Sequence, residues 1–289
     1  MNPLLRKQFR NAIKLLTDSS FQDFIAFLFS TAHGDSFTTL KQKHDKGSDG
    51  VLNGDTVLAA YGPENYTLRA FKKKANDDYQ SYKTNWKSTH PNWMVIFNDD
   101  FMANMVQHVD ALHVGATKIG LSELVQKVES LPWGKILRIG DYLGIPSELL
   151  VNDLIGHVVD DLIRVNDAGQ ATSLRPYAIY IEDKIAINFS ESEIQNATDE
   201  YYRCLEFFDS TQAILREHTP MEVSALRGRI CTDFNSLGGT FSDRFRGLLH
   251  RYCQTRPSDD LYVFAVTVLL TFFFEQCLIG AKVEGERTC

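Results

Sequence analysis

The sequence predicts an α/β domain at residues 1–112 and a mainly α-helical domain at residues 113–289. Two observations support this division. Up to about residue 98 the hydrophobic pattern gives the order helix, three strands, helix, strand, whereas beyond residue 100 the apolar residues recur mostly at helical spacing. A chain of 289 residues is also longer than a typical single domain and fits about two.

The first domain begins with two helical runs within residues 1–30, separated by Ser19-Ser20 as a helix start signal. The stretches SFTTLKQKHD, DGVLN and DTVLAAY predict three strands, and Asn53-Gly54 predicts a tight turn between the last two. LRAFKKKANDDYQSYKTNW has its aromatic residues near one helical face, so it predicts a helix. WMVIFND predicts a short buried strand that ends at Asn98-Asp99-Asp100.

The second domain is predicted from longer helical patterns. LRIGDYLGIP supplies glycines and a proline that predict a break between helices, and the alternation in RPYAIYIEDKIAINFS predicts a small hairpin or an extended arm. Helices are predicted at about 101–111, 121–131, 149–164, 191–218, 222–234 and 261–278.

The most apolar stretch is LYVFAVTVLLTFFF at residues 261–274, which Glu275 and Gln276 follow at once. A membrane span needs roughly 18 to 20 apolar residues, so no membrane segment is expected. A helix that is apolar all round must be buried. The segment 261–279 is therefore expected to be either the centre of a domain or a subunit interface, and the second interpretation predicts a homo-oligomer, a dimer or tetramer.

Charge and cysteine content constrain the partners and the compartment. The net charge is −7, but residues 1–110 hold 13 Lys and Arg against 12 Asp and Glu. The first part can therefore meet DNA, while the acidic remainder is better suited to protein partners.

The cysteines are odd in number and form no CxxC pair, and the N-terminus has charges within its apolar run. A cytoplasmic location is expected. The cysteines are Cys204, Cys231, Cys253, Cys277 and Cys289.

The stretch KHDKGSDGVLN places Asp45 and Asp49 in a glycine-containing loop before a strand. A metal-dependent nuclease needs a carboxylate at a strand end and a nearby lysine that polarises water or phosphate. The helix–three strands–helix–strand order, with Asp-Gly at the second strand, resembles the PD-(D/E)xK, or restriction-endonuclease-like, superfamily. HDKGSDG resembles its Mrr-type GDGGxDG signature at Asp45, Gly47, Asp49 and Gly50, and this register makes Asp49 the metal-binding aspartate.

The usual second ligand and lysine of that superfamily are missing. Where ExK or QxK is expected, this sequence has Ala59 and Tyr61. Either the lysine has moved or the core has lost catalysis. For the first case we expect Lys74 to be the catalytic lysine, because it lies beside the inward Ala75 and one helical turn before Asp78.

Further site residues follow from the same resemblance. FQDFIAFL resembles the FExL pattern of the first helix, with Gln22 at the usual glutamate position, and either Gln22 or Glu64 is expected to complete the metal site. Lys72 and Lys73 are expected to face solvent or DNA. Tyr61 is either a packed aromatic or a catalytic residue, and Glu64 and Asp49-Gly50 can also be ordinary loop and turn residues.

A closer resemblance involves several short motifs. AYGPE, KANDDY and WMVIFND, together with DKIAINFSESEIQNATDEYY and FFFEQCLIG, resemble the nuclease effector subunits (LmuA-like and DdmA-like) of Lamassu and other ABC-three-component defence systems. This resemblance implies a double-stranded DNA endonuclease that uses Mg2+ or Mn2+. It also implies an SMC-like ATPase subunit and an accessory subunit as partners, with activation by release and self-assembly. The alternative is a non-catalytic subunit with a degenerate nuclease fold that bridges the ATPase and DNA.

Overall fold

The computed structural model describes residues 1–40, 48–164, 179–254 and 260–281, and it forms two compact units that divide between Ser147 and Glu148. The first unit therefore extends past the predicted boundary at residue 112. The reason is that a fifth strand, β5 at Thr117–Ile119, pairs with the preceding strand of the sheet. The next two helices, at Leu121–Glu129 and Trp133–Tyr142, also contact earlier elements of this unit.

The first unit is built on one mixed sheet with the order β1-β2-β3-β4-β5. The first three strands are antiparallel, and β3, β4 and β5 are parallel to one another. The predicted turn is confirmed, because Asn53 and Gly54 both have positive φ values between β2 and β3. The strands are β1 (Phe37–Thr39), β2 (Gly50–Leu52), β3 (Thr56–Tyr61), β4 (Asn92–Phe97) and β5.

Helices cover both faces of this sheet. Successive residues of a strand point to opposite faces of the sheet. On β3, Val57 and Ala59 pack with α3. Helix α2 packs against β3 as well. The described helices of this unit are α1 (Pro3–Leu15), α2 (Asp18–His33), α3 (Leu68–Asn85), α4 (Ala103–Leu112), α5 (Leu121–Glu129) and α6 (Trp133–Tyr142). The predicted Gly/Pro break in LRIGDYLGIP is confirmed, because the chain turns at Gly144, where φ is +68°, between α6 and the next helix; the first part of the stretch, up to Tyr142, belongs to α6.

The second unit is helical in its described residues. Its helices are α7 (Ser147–Arg164), α8 (Ile181–Asn188), α9 (Ile194–Leu205), α10 (Phe208–Glu217), α11 (Pro220–Ser236), α12 (Phe241–Cys253) and α13 (Asp260–Glu275). The predicted helix at 191–218 is two helices.

The predicted hairpin at 175–190 was wrong where the structure describes it, because 181–188 form α8; residues 175–178 lie outside the described ranges. Glu182 and Asp183 lie in the first turn of α8, where their negative charge interacts favourably with the helix dipole. Lys184 and Ile185 of the same helix are buried.

The apolar segment predicted at 261–279 is the centre of the second unit. Helix α13 packs against α9, α10 and α12, and eleven of its residues are buried. The structure thus supports the domain-centre interpretation of this helix, and the homo-oligomer stays a prediction. Across the described residues, no helix is both long and apolar enough to cross a membrane.

Candidate functional site

Asp49 lies directly before β2 and is fixed to the neighbouring strand β3. Its backbone N–H donates to the carbonyl of Leu58 at 2.9 Å, and its carboxylate Oδ2 accepts from the N–H of Ala60 at 2.6 Å. The side chain is half-buried. The carboxylate is therefore held at the sheet opposite Ala59 and Ala60. Asp45 and Gly47, which also belong to the predicted signature, lie outside the described residues.

Tyr61 ends β3 and occupies the position where a lysine was expected. Its ring stacks with Phe97 at 5.9 Å between centroids and packs on Phe71 at 6.2 Å, so the packed-aromatic interpretation holds for the ring. Burial raises the pKa of the Tyr61 phenol. The nearby Lys74 works against this increase, whereas Asp18 and Asp78 add to it. Tyr61 therefore lies within electrostatic reach of all three charged groups.

Lys74 and Asp78 form an ion pair one helical turn apart on α3. Their side chains are 40% and 11% exposed, respectively, so the carboxylate is the more buried partner. The prediction for Lys74 concerned only the lysine, and Asp78 was not identified as a site residue. The signal in the sequence is the i, i+4 spacing within KANDD, next to the inward Ala75.

Glu64 and Gln22 differ in where they lie relative to this region. Glu64 is exposed in the turn after β3, and it forms neither a hydrogen bond nor an ion pair with any residue that the structure describes. Gln22 is half-buried on α2, one turn after Asp18, whose N–H donates to the carbonyl of Gly62 at 2.6 Å. The start of α2, and Gln22 with it, is thus anchored at the end of β3.

The donor chemistry of the site suits a hard divalent cation. Within the four described ranges, no group of three or more His, Cys, Asp or Glu side chains is close enough to hold a metal ion. Mg2+, however, is commonly bound by one or two carboxylates together with waters and substrate phosphates. Asp49, directly before β2, and Asp78, on α3, each supply a carboxylate of this chemical kind.

Lys72 and Lys73 lie on the outer side of α3. They border a shallow surface depression together with Arg69 and Asn76. Lys73 is exposed and Lys72 is half-buried, and neither forms an ion pair with a described residue. Their contact with DNA stays a prediction.

Asn98, at the end of β4, joins three segments around the site. Its side-chain Nδ2 donates to the carbonyls of Leu16 at 3.0 Å and Pro63 at 3.3 Å, and its backbone N–H donates to the carbonyl of Tyr61 at 3.3 Å. It is 3% exposed. This side chain holds the α1–α2 connection and the turn after β3 against the end of β4.

The two aspartates after Asn98 attach α1 to the sheet edge. Asp99 pairs with Lys14 at 3.0 Å, and Asp100 pairs with Arg10 at 2.6 Å. The Asn98-Asp99-Asp100 motif, which was predicted to end a strand, therefore also attaches α1 and the turn after β3 to the end of β4.

No family model matches this chain, and neither a curated protein nor a solved structure matches it.

Proposed function

We propose that the first unit is the catalytic domain of a metal-dependent DNA endonuclease, the effector of a bacterial anti-phage and anti-plasmid defence complex. The observation that carries the proposal is the fixed carboxylate of Asp49 at β2, on a sheet whose next strand ends at a tyrosine beside a lysine–aspartate pair. The element order around it, a helix, three antiparallel strands, a helix and a parallel strand, is that expected for the restriction-endonuclease-like core.

Each site residue has a distinct role in this proposal. Asp49 and Asp78 would hold Mg2+. When bound, this ion would activate water and neutralise negative charge on the phosphate. Lys74, oriented by Asp78, places a positive charge where the attacked phosphate becomes more negative. The raised pKa of Tyr61 keeps its phenol neutral near pH 7, so it can donate a hydrogen bond to a phosphate oxygen but does not serve as a base.

The remaining assignments concern DNA and partners. Lys72 and Lys73 would contact the phosphates of double-stranded DNA, and Gln22 or Glu64 would complete the ligand set. The SMC-like ATPase and the accessory subunit would contact the acidic second unit. Self-assembly to a dimer or tetramer would activate cleavage, through a surface other than α13, which is buried within its own unit.

The second candidate is a non-catalytic subunit that bridges the ATPase and DNA. The observation that favours it is the absence of a side-chain oxygen at Ala59 and of an amine at Tyr61, the two positions where such a core usually carries its second ligand and its lysine. In addition, the ammonium of Lys74 is already paired with Asp78.

Cleavage of supercoiled plasmid by the purified chain separates the two candidates. The reaction is followed with Mg2+, with Mn2+ and with EDTA, over a range of protein concentrations, and light scattering measures the oligomeric state at each concentration. Nicked or linear product with either metal, lost in the Asp78→Asn variant and kept in the matched Asp77→Asn variant, supports the nuclease. Intact plasmid at every concentration and with both metals contradicts it and supports the bridging role.

A further inference from the structure

A second basic surface lies in the first unit, on helices other than α3. We name it the α2–α6 surface and define it by Phe27, Lys127, Lys135, Arg138 and Tyr142, which come from α2, α5 and α6. None of its three cations forms an ion pair with a carboxylate among the residues that the structure describes. Several other basic residues of this unit, such as Arg6 and Lys118, are paired.

The two lysines of this surface lie around the end of α2. Lys127 places its Nζ 5.2 Å from the centre of the Phe29 ring, and Lys135 donates to the carbonyl of Ala32 at 3.1 Å. Burial lowers the pKa of His33, and both lysines lower it further, so both lie near this imidazole. The result is a concentration of positive charge around the end of α2, whereas the carboxylate of Asp23 acts at the other end of the surface, where burial and its negative charge raise the pKa of Tyr142.

Arg138 extends the charge towards an aromatic pair, the half-buried Phe27 and the exposed Tyr142. Its guanidinium carbon lies 5.5 Å from the centre of the Phe27 ring, and that ring stacks on Tyr142 at 4.4 Å with an interplanar angle of 16°. Tyr142 remains 43% exposed despite the stack. Because Lys135, Arg138 and Tyr142 follow one another at spacings of three and four on α6, they share one face of that helix.

We propose that the α2–α6 surface binds single-stranded nucleic acid without strong sequence preference. Proteins that do so combine unpaired cations, which contact the backbone phosphates, with aromatic rings on which bases stack. Here the phosphates would contact Lys127, Lys135 and Arg138, and an unpaired base would stack on Tyr142. A duplex keeps its base faces stacked internally and cannot use the ring, and this favours a single strand as the occupant.

Binding of a fluorescein-labelled oligothymidylate, followed by anisotropy in EDTA at several salt concentrations, tests the proposal. An oligonucleotide of about 15 residues is suitable, since sites of this kind cover roughly 4–16 nucleotides. The measurement needs neither metal nor cleavage, and its residues are distinct from Asp49, Lys74 and Asp78. A failed nuclease assay and a failed binding assay are therefore separate outcomes.

Charge-removing variants give the first comparison. Lys135→Gln with Arg138→Gln is expected to weaken binding by at least about tenfold near 50 mM salt, and to make the slope of log K against log salt shallower by about 1.4, because each lost single-strand phosphate contact accounts for about 0.7. The matched control, Lys7→Gln with Lys83→Gln, removes the same charge from exposed positions on α1 and α3. Equal weakening by the two double variants overturns the proposal.

Ring-removing variants give the second comparison. Tyr142→Leu is expected to weaken binding about fivefold to hundredfold with an unchanged salt slope, as loss of one base stack does, while Tyr142→Phe binds like wild type. Thermal melts show that each variant is folded. Absence of oligothymidylate binding by the wild-type chain overturns the proposal. It is also overturned if the Lys135→Gln with Arg138→Gln and Tyr142→Leu variants weaken duplex binding as much as they weaken single-strand binding.

Discussion

Replacement of Asn98 tests how the end of β4 holds the site together. Asn98→Ala removes the amide that donates to the carbonyls of Leu16 and Pro63 but keeps the backbone N–H that donates to Tyr61. Asn98→Asp keeps the shape and replaces the donor by a carboxylate facing the same two carbonyl oxygens. Both changes are expected to destabilise the first unit, the second more strongly at neutral pH.

The magnitude follows from the two hydrogen bonds that are lost. A buried carbonyl left without its donor costs about 1–3 kcal/mol. Leu16 and Pro63 are half-buried residues, so water can replace part of the loss. We therefore expect Asn98→Ala to lower the free energy of unfolding by about 2–4 kcal/mol.

Urea unfolding followed by tryptophan fluorescence measures this quantity in the intact chain. All three tryptophans, Trp86, Trp93 and Trp133, belong to the first unit, so the signal reports that unit alone. Asn92→Ala is the matched control, because Asn92 lies at the other end of β4 and is exposed, and its side chain donates one hydrogen bond, to the carboxylate of Asp55 at 3.1 Å. Its effect is expected to stay below about 1 kcal/mol.

A midpoint for Asn98→Ala that coincides with wild type, or with Asn92→Ala, would refute the reasoning. It would mean that the α1–α2 connection and the turn after β3 are held by other contacts. A lower midpoint with an unchanged slope supports it, because the loss is then one of stability and not of compactness.

Three further predictions concern catalysis, the second unit and acid stability. Lys74→Met should remove cleavage. Lys72→Ala should only weaken duplex binding and reduce the slope of log K against log salt by about 0.9. Similar behaviour of the two variants in cleavage and anisotropy assays would contradict the assignment of Lys74. Phe273→Asp buries a carboxylate at a fully buried position of α13 and should unfold the second unit by far-ultraviolet circular dichroism, while the exposed Gln276→Asp should not. Burial alone would raise the pKa of Asp100, but its hydrogen bonds to Arg10 and Ser122 lower it overall, so its stabilising contribution is present above the unfolded pKa and is lost as pH falls through the folded one. Asp100→Asn should therefore lose less stability than wild type in urea melts between pH 6 and pH 3, and an identical pH dependence would show that Asp100 makes no such contribution.

Local patterns predicted the core of the first unit. The apolar runs of β3 and β4 and the turn at Asn53-Gly54 depend on residues close in sequence, so they could be read directly. Helix α6 could not be predicted in this way. Gly140 resembles a helix breaker in the sequence but is buried within the helix, and the chain turns only at Gly144. In α8 the alternating apolar residues suggested strands, whereas tertiary packing buries Lys184 and Ile185 on one side of a helix.

The candidate site was predictable only where its residues are local. Asp49 is marked by its glycine neighbours, and the structure adds that Ala60 fixes it. The burial of Asp78 depends on what packs over α3. The partners of Asp99 and Asp100 are 85 and 90 residues away in the chain, so no spacing in the sequence reveals them.

The central claim is that Asp49 is the carboxylate on which metal-dependent cleavage depends, and plasmid cleavage by Asp49→Asn tests it most directly. The variant keeps the size of the side chain and an oxygen that can accept from Ala60, so the fold is expected to persist, as a thermal melt can show. Asp55→Asn, at an exposed position of the same hairpin, is the matched control. We predict that with Mg2+ or Mn2+ the wild type and Asp55→Asn cut the plasmid and that folded Asp49→Asn leaves it intact. Cutting by Asp49→Asn at the wild-type rate would contradict the account.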